Sequence, residues 1–197
     1  VSCMKQWSTH ELHPLCTLFP RMIGEDFDAL VADISANGLQ SPIVLHDGMI
    51  LDGGNRYRAC QVANVEPRFQ EFTGSDIVQY VLSVNLHRRH LAQGQIAVIT
   101  SLAQDWNKAQ PRGGDRRSDQ SRSNDFDTVE KRAAASGVHR DTQMKADKVA
   151  KASPELARQV AHGEKTLPQA VREVSPPKLE PTPDACLSEA DQIDEMS

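Results

Sequence analysis

Apolar positions in the first part of the chain follow both the helical period and the shorter period of strands. Residues 42–46 and 49–51 are apolar runs on either side of Asp47–Gly48, a dipeptide that favours a two-residue hairpin turn. Residues 67–72 indicate a third strand, and Ser75 is a candidate N-cap for the helix that follows. An earlier helix, ended by an Asn-Gly pair, is indicated by four apolar side chains at helical spacing: Phe27, Leu30, Val31 and Ile34. These patterns predict an α+β unit with a small mixed sheet.

The rest of the chain combines helical patterns with segments that show no repeating pattern. Residues 13–20 predict a short extended run closed by proline. Residues 110–127 are rich in Arg, Asp, Ser and Gly, which predicts a mobile loop, and the acidic, Pro-containing residues 176–197 predict a disordered tail. The chain therefore divides into a domain of residues 10–91, a helical domain of residues 92–175 and the tail. Helices are predicted over 95–107, 129–135, 139–151, 154–162 and 167–174.

A turn with candidate phosphate chemistry follows the hairpin. Gly53–Gly54 connects its second strand to a helix, a geometry in which backbone N–H groups and a helix N-terminus face an anion. Arg56 and Arg58 lie in the first turn of that helix, where the helix dipole disfavours cations, so a bound anion explains them better than local stability does. A second polar group lies at the end of another helix: Asn85, Arg88 and Arg89. Together the two groups predict a phosphate or nucleotide pocket.

Residues 130–142 have the layout of a helix-turn-helix motif. A small residue, Ala134, lies where two helices would cross, Gly137 allows the tight turn, and Val138 fills the core. The side chains expected to approach DNA are His139, Arg140, Asp141, Gln143, Met144 and Lys145 at the major groove, with Lys148 and Lys151 at phosphates.

One position departs from the usual pattern of this motif. The residue after Thr142 is normally apolar, but here it is Gln143, so we expect Met144 or Ala146 to fill the core in its place. The alternative for this segment is an ordinary helical hairpin with no role in DNA binding.

Charge and composition bear on whether the protein contacts nucleic acid, crosses a membrane or is secreted. The net charge is −5, yet residues 85–172 carry 16 basic and 10 acidic side chains, so we expect any nucleic-acid contact in this segment. This charge alone does not outweigh an ordinary solvated surface. No stretch approaches the ~18 apolar residues of a membrane span, and no signal peptide is visible. Four cysteines without CxxC spacing indicate reduced thiols. We therefore expect a cytoplasmic protein without membrane contact.

Over roughly residues 10–175 the chain resembles the ParB/sulfiredoxin superfamily, and ParB-like proteins in particular. The family's Gly-Glu-Arg-Arg-x-Arg-Ala box corresponds to residues 53–59, and its Glu-Asn-x-x-Arg-x-x-Leu box corresponds to residues 84–91. Asn37–Gly38 followed by Pro42–Ile43 adds a third match. The resemblance implies an N-terminal ParB/sulfiredoxin-like nucleotide-binding domain with a small mixed sheet, followed by an all-α helix-turn-helix domain.

The resemblance also implies ligands and partners. Guanidinium groups and a Gly-rich turn suit phosphate oxygens, and Mg²⁺ prefers a few protein oxygens plus the phosphates of its ligand. In this family the ligand is CTP with Mg²⁺, the metal being held in part by Asn85. The implied partners are double-stranded DNA, a second copy of the chain and a partition ATPase, in a nucleoid-associated protein of chromosome segregation, plasmid partition or transcription regulation. The implied nucleotide contacts are Gly53, Gly54, Asn55, Arg56, Arg58, Asn85, Arg88 and Arg89.

Two departures from the family boxes bear on catalysis. The glutamate of the first box is Gly54 here, and the glutamate before the asparagine of the second box is Val84. Without these carboxylates we expect nucleotide binding with weak or absent hydrolysis. The sulfiredoxin branch requires a reactive cysteine at the position of Gly54, so its sulfinate chemistry is excluded.

Two other functions remain open at the level of the sequence. The first is a ParB-like enzyme, either a nuclease or a small-molecule kinase or NTPase, with Asp52 beside Arg56 as a weak catalytic candidate. A carboxylate that caps the turn is the better explanation of Asp52, since Asp commonly closes such turns. The second is a scaffold that binds DNA and has lost its nucleotide pocket. The basic helix-turn-helix region favours a DNA-binding protein with a nucleotide switch over the enzyme.

Overall fold

The computed structural model describes residues 9–86, 91–110 and 128–175. Arg88 and Arg89, residues 111–127 of the predicted loop, and the predicted tail 176–197 lie outside these ranges. The described elements are, in chain order, a 3₁₀ helix Cys16–Leu18, α1 Glu25–Asn37, β1 Ile43–His46, β2 Met49–Asp52, α2 Gly54–Ala63, β3 Phe69–Glu71, α3 Ile77–Leu86, α4 Gln93–Ala109, α5 Val129–Ser136, α6 Arg140–Ala152, α7 Pro154–His162 and α8 Leu167–Val174.

The three strands form one mixed sheet in the order β2-β1-β3. β1 pairs antiparallel with β2 and parallel with β3. Asp47 and Gly48 have φ angles of 50° and 75°, which is the positive-φ pair that a type I′ hairpin turn requires. The predicted α+β class, with a small mixed sheet and helices, is therefore confirmed.

Two local predictions before α4 were wrong. Residues 13–20 were expected to be extended, but Cys16 and Leu18 donate backbone hydrogen bonds to the carbonyls of His13 and Leu15 and close a 3₁₀ helix. Ser75 was expected to cap α3, but the Asp76 carboxylate accepts from the Gln79 N–H at 2.9 Å. Asp and Ser are similarly good N-caps, so local sequence did not separate two neighbouring candidates.

The apolar core lies in two clusters, and the larger one spans residue 91. It joins the 3₁₀ helix and α3 to helices α4 and α6–α8, through side chains such as Leu18, Leu82 and Val98. The smaller cluster packs α1 and α2 against the sheet and contains Ile34, Ile43 and Cys60. Consequently the 3₁₀ helix and the segment after it lie between the sheet and the helical bundle. Within the described residues, no helix has both the length and the apolar character needed to cross a bilayer.

Candidate functional site: a cleft at the start of α2 and an exposed face on α6

The chain bends sharply where β2 passes into α2, and glycine is needed at this bend. Gly53 has φ 99°, and a Cβ there would lie 3.0 Å from Nη2 of Arg56. A Cβ on Gly54 would lie 3.1 Å from Cδ2 of Leu12. The first N–H groups of a helix have no partner within the helix, so the start of α2 presents donors at the surface. The bend therefore places an anion-attracting helix end beside the 3₁₀ helix.

An open cleft of about 400 Å³ lies at this bend. A neighbouring groove of about 790 Å³ shares part of its wall with the cleft and extends to His162 at the end of α7. Both volumes include open solvent, so neither is an enclosed cavity. The cleft is lined by Leu12, Cys16, Phe19, Pro20, Arg21, Asp52, Gly53, Gly54, Asn55, Arg58 and Asn85.

Arg58 is fixed against one wall of the cleft. Its Nη1 donates to the Met22 carbonyl at 3.3 Å, and its guanidinium lies 4.3 Å from the centre of the Phe27 ring. Asn55 Oδ1 accepts from the Met22 N–H at 3.2 Å, which ties the same segment to the start of α2. Arg21, next in the chain to Met22, is exposed and lines the cleft. Sequence reasoning missed Arg21, because nothing in its neighbours marks it and only the fold brings it to α2.

Asp52 joins three elements at the base of the cleft. One carboxylate oxygen accepts from Nη2 of Arg56 at 3.0 Å, and the other lies 3.4 Å from Nδ2 of Asn85. Asn85 Nδ2 also donates to the Val81 carbonyl at 3.1 Å. The Asp52 side chain is only 14 % exposed, so the carboxylate mainly holds the ends of β2, α2 and α3 together.

Arg56 and Arg58 were expected to share one pocket, and the structure separates them. Residues two apart on a helix point roughly 200° away from each other. Arg58 lines the cleft, whereas Arg56 turns to Asp52 and to the Pro42 carbonyl, 3.2 Å from its Nη2, and is not among the lining residues. The candidate nucleotide site therefore includes Arg58 and not Arg56.

The second candidate region consists of α5, a three-residue turn and α6. Gly137 ends α5 with φ 68°, and Val138 is buried. The residue of α5 that is buried at the helix crossing is Ala133, with 7 % exposure, and not Ala134, which is exposed. The predicted register was therefore off by one position, since neighbouring alanines offer no difference in polarity to separate them.

Gln143 faces the core of the bundle, contrary to its expected place at the DNA surface. Its side chain has 0 % exposure, and its Nε2 lies within 3.1 Å of the Ala97 carbonyl, Ser101 Oγ and Asp147 Oδ1. Asp147 also accepts from Arg132 at 2.6 Å. Ala146 fills the neighbouring core position, while Met144 remains 45 % exposed. A hydrogen-bonded polar network thus fastens α6 to α4 and α5 where an apolar contact was expected.

The other residues expected at DNA lie on the outer side of α6. His139 caps the helix and accepts from the Asp141 N–H at 3.3 Å, and Arg140 Nε donates to Glu130 Oε1 at 2.7 Å. Lys148 Nζ donates to Ser175 Oγ at 2.9 Å. The exposed side chains of this face are His139, Arg140, Asp141, Met144, Lys145, Lys148 and Lys151.

Comparison with known proteins finds similarity among solved structures only. No protein-family model and no curated protein matches the chain. Among solved structures, the chain is similar to the C-terminally truncated chromosome-partitioning protein ParB from Caulobacter crescentus, complexed with CTP-gamma-S, at 18 % identity and a TM-score of 0.30. The match covers 80 % of this chain and 83 % of that chain. A superposition this loose assigns no residue a role.

Proposed function

We propose that this chain is a ParB-like DNA-binding protein whose duplex binding responds to a nucleoside triphosphate, with CTP as the first candidate. In this proposal α6 enters the major groove and the triphosphate occupies the cleft at the start of α2. A role in partition or transcription regulation, a homodimer and a partition ATPase partner are parts of the same proposal.

The observation that carries the proposal is the contrast between the two sides of α6. The inner side is held by the fully buried Gln143 and by the ion pair of Arg132 with Asp147. The outer side carries exposed cations, including Lys145 and Lys148. A rigid helix that follows a tight turn and presents a polar, basic face is what major-groove recognition requires.

The cleft supports the nucleotide part of the proposal through its donor set. Arg21 and Arg58 line it together with the N-terminus of α2, and guanidinium and N–H donors suit phosphate oxygens. Asn85 supplies an amide oxygen at the base, which fits the few protein ligands that Mg²⁺ takes beside phosphates. The metal, when bound, would neutralise phosphate charge.

One contact suits a switch between the cleft and the helical bundle. His162 at the end of α7 lies with Nε2 3.0 Å from the Thr17 carbonyl, which belongs to the 3₁₀ helix beside the cleft. A ligand that binds one arrangement of the 3₁₀ helix more tightly than another would shift the contact between this helix and α7. The contact therefore supports coupling between nucleotide and DNA.

The enzyme alternative finds no support at Asp52. Both of its oxygens are engaged, one by Arg56 and one by Asn85, so the carboxylate is poorly placed to take a proton from a substrate. Product formation from CTP or ATP by the full chain, lost on Asp52→Asn, would restore this alternative.

DNA binding is tested by duplex selection from a random library at two salt concentrations, followed by anisotropy titrations. We expect Lys145→Ala to weaken binding to all duplexes and to reduce the slope of log affinity against log salt by about 1. Arg158→Ala, an exposed cation on α7, is the matched control and should leave the slope unchanged. Failure of the wild-type chain to bind any duplex contradicts the proposal.

Nucleotide binding is tested by thermal shift with CTP, ATP and no nucleotide, each with Mg²⁺. A ligand at 100 times its Kd stabilises the folded state by about 2.7 kcal/mol, so a clear shift is expected with the correct nucleotide. Arg58→Ala should reduce that shift, and Arg172→Ala on α8 should not. Equal melting temperatures under all three conditions would favour a scaffold that binds DNA alone.

A further inference from the structure

An ion pair bridges the two helices of the proposed DNA-binding unit at the surface. Nε of Arg140, the first residue of α6, donates to Oε1 of Glu130 on α5 at 2.7 Å. Nη1 of Arg140 lies 3.2 Å from Sδ of Met144, one turn further along α6. The bond to Arg140 lowers the pKa of Glu130, and the same bond raises the pKa of Arg140, so both groups stay charged at neutral pH. The guanidinium is therefore held on two sides.

Stability alone does not account for this arrangement. The two side chains are 55 % and 61 % exposed, and ion pairs this exposed contribute little because water screens them and ordering long side chains costs entropy. Arg140 also begins a helix, where the helix dipole opposes a positive charge. The ion pair thus orders a cation at the surface, where a ligand can reach it.

We propose that Arg140 is the residue that reads a guanine in the bound duplex, and that Glu130 positions it. This inference rests on the proposed function. Residues of the N-terminal turn of a recognition helix approach base edges, and the arginine fork matches O6 and N7 of guanine in the major groove. Because Glu130 occupies Nε, the guanidinium meets the base with Nη1 and Nη2. The thioether of Met144 is a weak acceptor, so exchanging the Nη1 contact with Sδ for a hydrogen bond to the base costs little free energy.

The neighbouring cations suit a different role. Lys145 and Lys148 are flexible point charges without a planar fork, and Lys148 lies further along α6, beside Ser175. We infer that these lysines contact phosphates, which fixes α6 in the groove without reading sequence. Sequence discrimination and salt-dependent affinity would thus depend on different residues of one helix face.

The test uses the full chain and the duplex obtained by selection. Affinity is measured for that duplex and for variants in which each G·C pair is replaced in turn. The wild type should discriminate against replacement of one particular G·C pair by about 5- to 150-fold. Arg140→Ala should lose discrimination at that pair and keep it elsewhere, whereas Lys145→Ala should weaken all duplexes by one common factor. Unfolding curves of the variants verify that each is folded.

Glu130 is tested by two substitutions of graded severity. Glu130→Ala should reduce discrimination at the pair that Arg140 reads, and Glu130→Gln should retain most of it because an acceptor oxygen remains. Unchanged discrimination in Glu130→Ala overturns the positioning role. If Arg140→Ala weakens all duplexes equally, Arg140 contacts a phosphate, and the inference is wrong while the proposed function stands. Absence of duplex binding by the wild type refutes the proposed function itself.

Discussion

Replacement of Gln143 by alanine should destabilise the helical bundle more than any substitution on the outer side of α6. The two N–H groups of the amide serve three acceptors within 3.1 Å, on Ala97, Ser101 and Asp147, and its oxygen accepts from Ser136 Oγ at 3.3 Å. None of the side chain is exposed, so alanine leaves a cavity as well as broken hydrogen bonds. The loss therefore has two parts that can be sized separately.

The free energy lost with the hydrogen bonds depends on whether the former partners of Gln143 keep other hydrogen bonds. A neutral hydrogen bond contributes ~1 kcal/mol net, and one to a charged acceptor contributes ~1.5–3 kcal/mol. Ser101 Oγ still donates to Asp147 at 2.7 Å, so the carboxylate is not stranded and the lower end of these values applies. Truncating a large buried side chain adds a cavity cost of similar size. We expect a total of about 3–5 kcal/mol.

Urea or thermal unfolding followed by circular dichroism measures this loss. For a chain of this length each kcal/mol lowers Tm by ~2–4 °C, so Gln143→Ala should lower it by ~6–20 °C. Lys145→Ala, two residues further on and exposed, is the matched control and should change stability by less than ~0.5 kcal/mol. A Gln143→Ala protein whose free energy of unfolding lies within about 1 kcal/mol of this control would refute the reasoning that the buried amide anchors α6.

Three further substitutions test the wall of the cleft and the core beneath it. Burial holds the pKa of His13 below its ordinary 6.5, so the unfolded state takes up protons first and stability should fall as pH drops below 6.5. His13→Asn should flatten the dependence of the free energy of unfolding on pH, measured by urea unfolding, and an unchanged pH dependence would contradict this. His162→Ala should weaken the effect of nucleotide on DNA affinity while each ligand still binds alone, and full coupling in the variant would exclude the contact with Thr17 as its route. Gly53→Ala should cost ~1–3 kcal/mol in thermal unfolding because φ is 99° and the new Cβ meets Arg56, whereas wild-type stability would show that the bend relaxes.

Predictions that depended on neighbouring residues agree closely with the structure. α7 and α8 have the predicted bounds, because each begins at a capping Ser or Thr followed by proline within the first turn, and Gly163 ends α7 with φ 83°. The hairpin at Asp47–Gly48 is equally local. Where two neighbouring residues had the same chemistry, as with Ser75 and Asp76 or Ala133 and Ala134, sequence could not choose between them.

The sequence by itself determined the order of helices and strands, the Gly bend before α2 and the tight turn before α6, because caps, turns and apolar periods act within a few residues. Tertiary structure alone decided which charged and polar side chains meet. Arg21 and Arg58 line the same cleft, Arg56 pairs with Asp52, and Gln143 of α6 is buried against α4. These outcomes depend on which groups lose contact with water when distant elements pack, and a polar side chain can be buried once its partners are there to receive it.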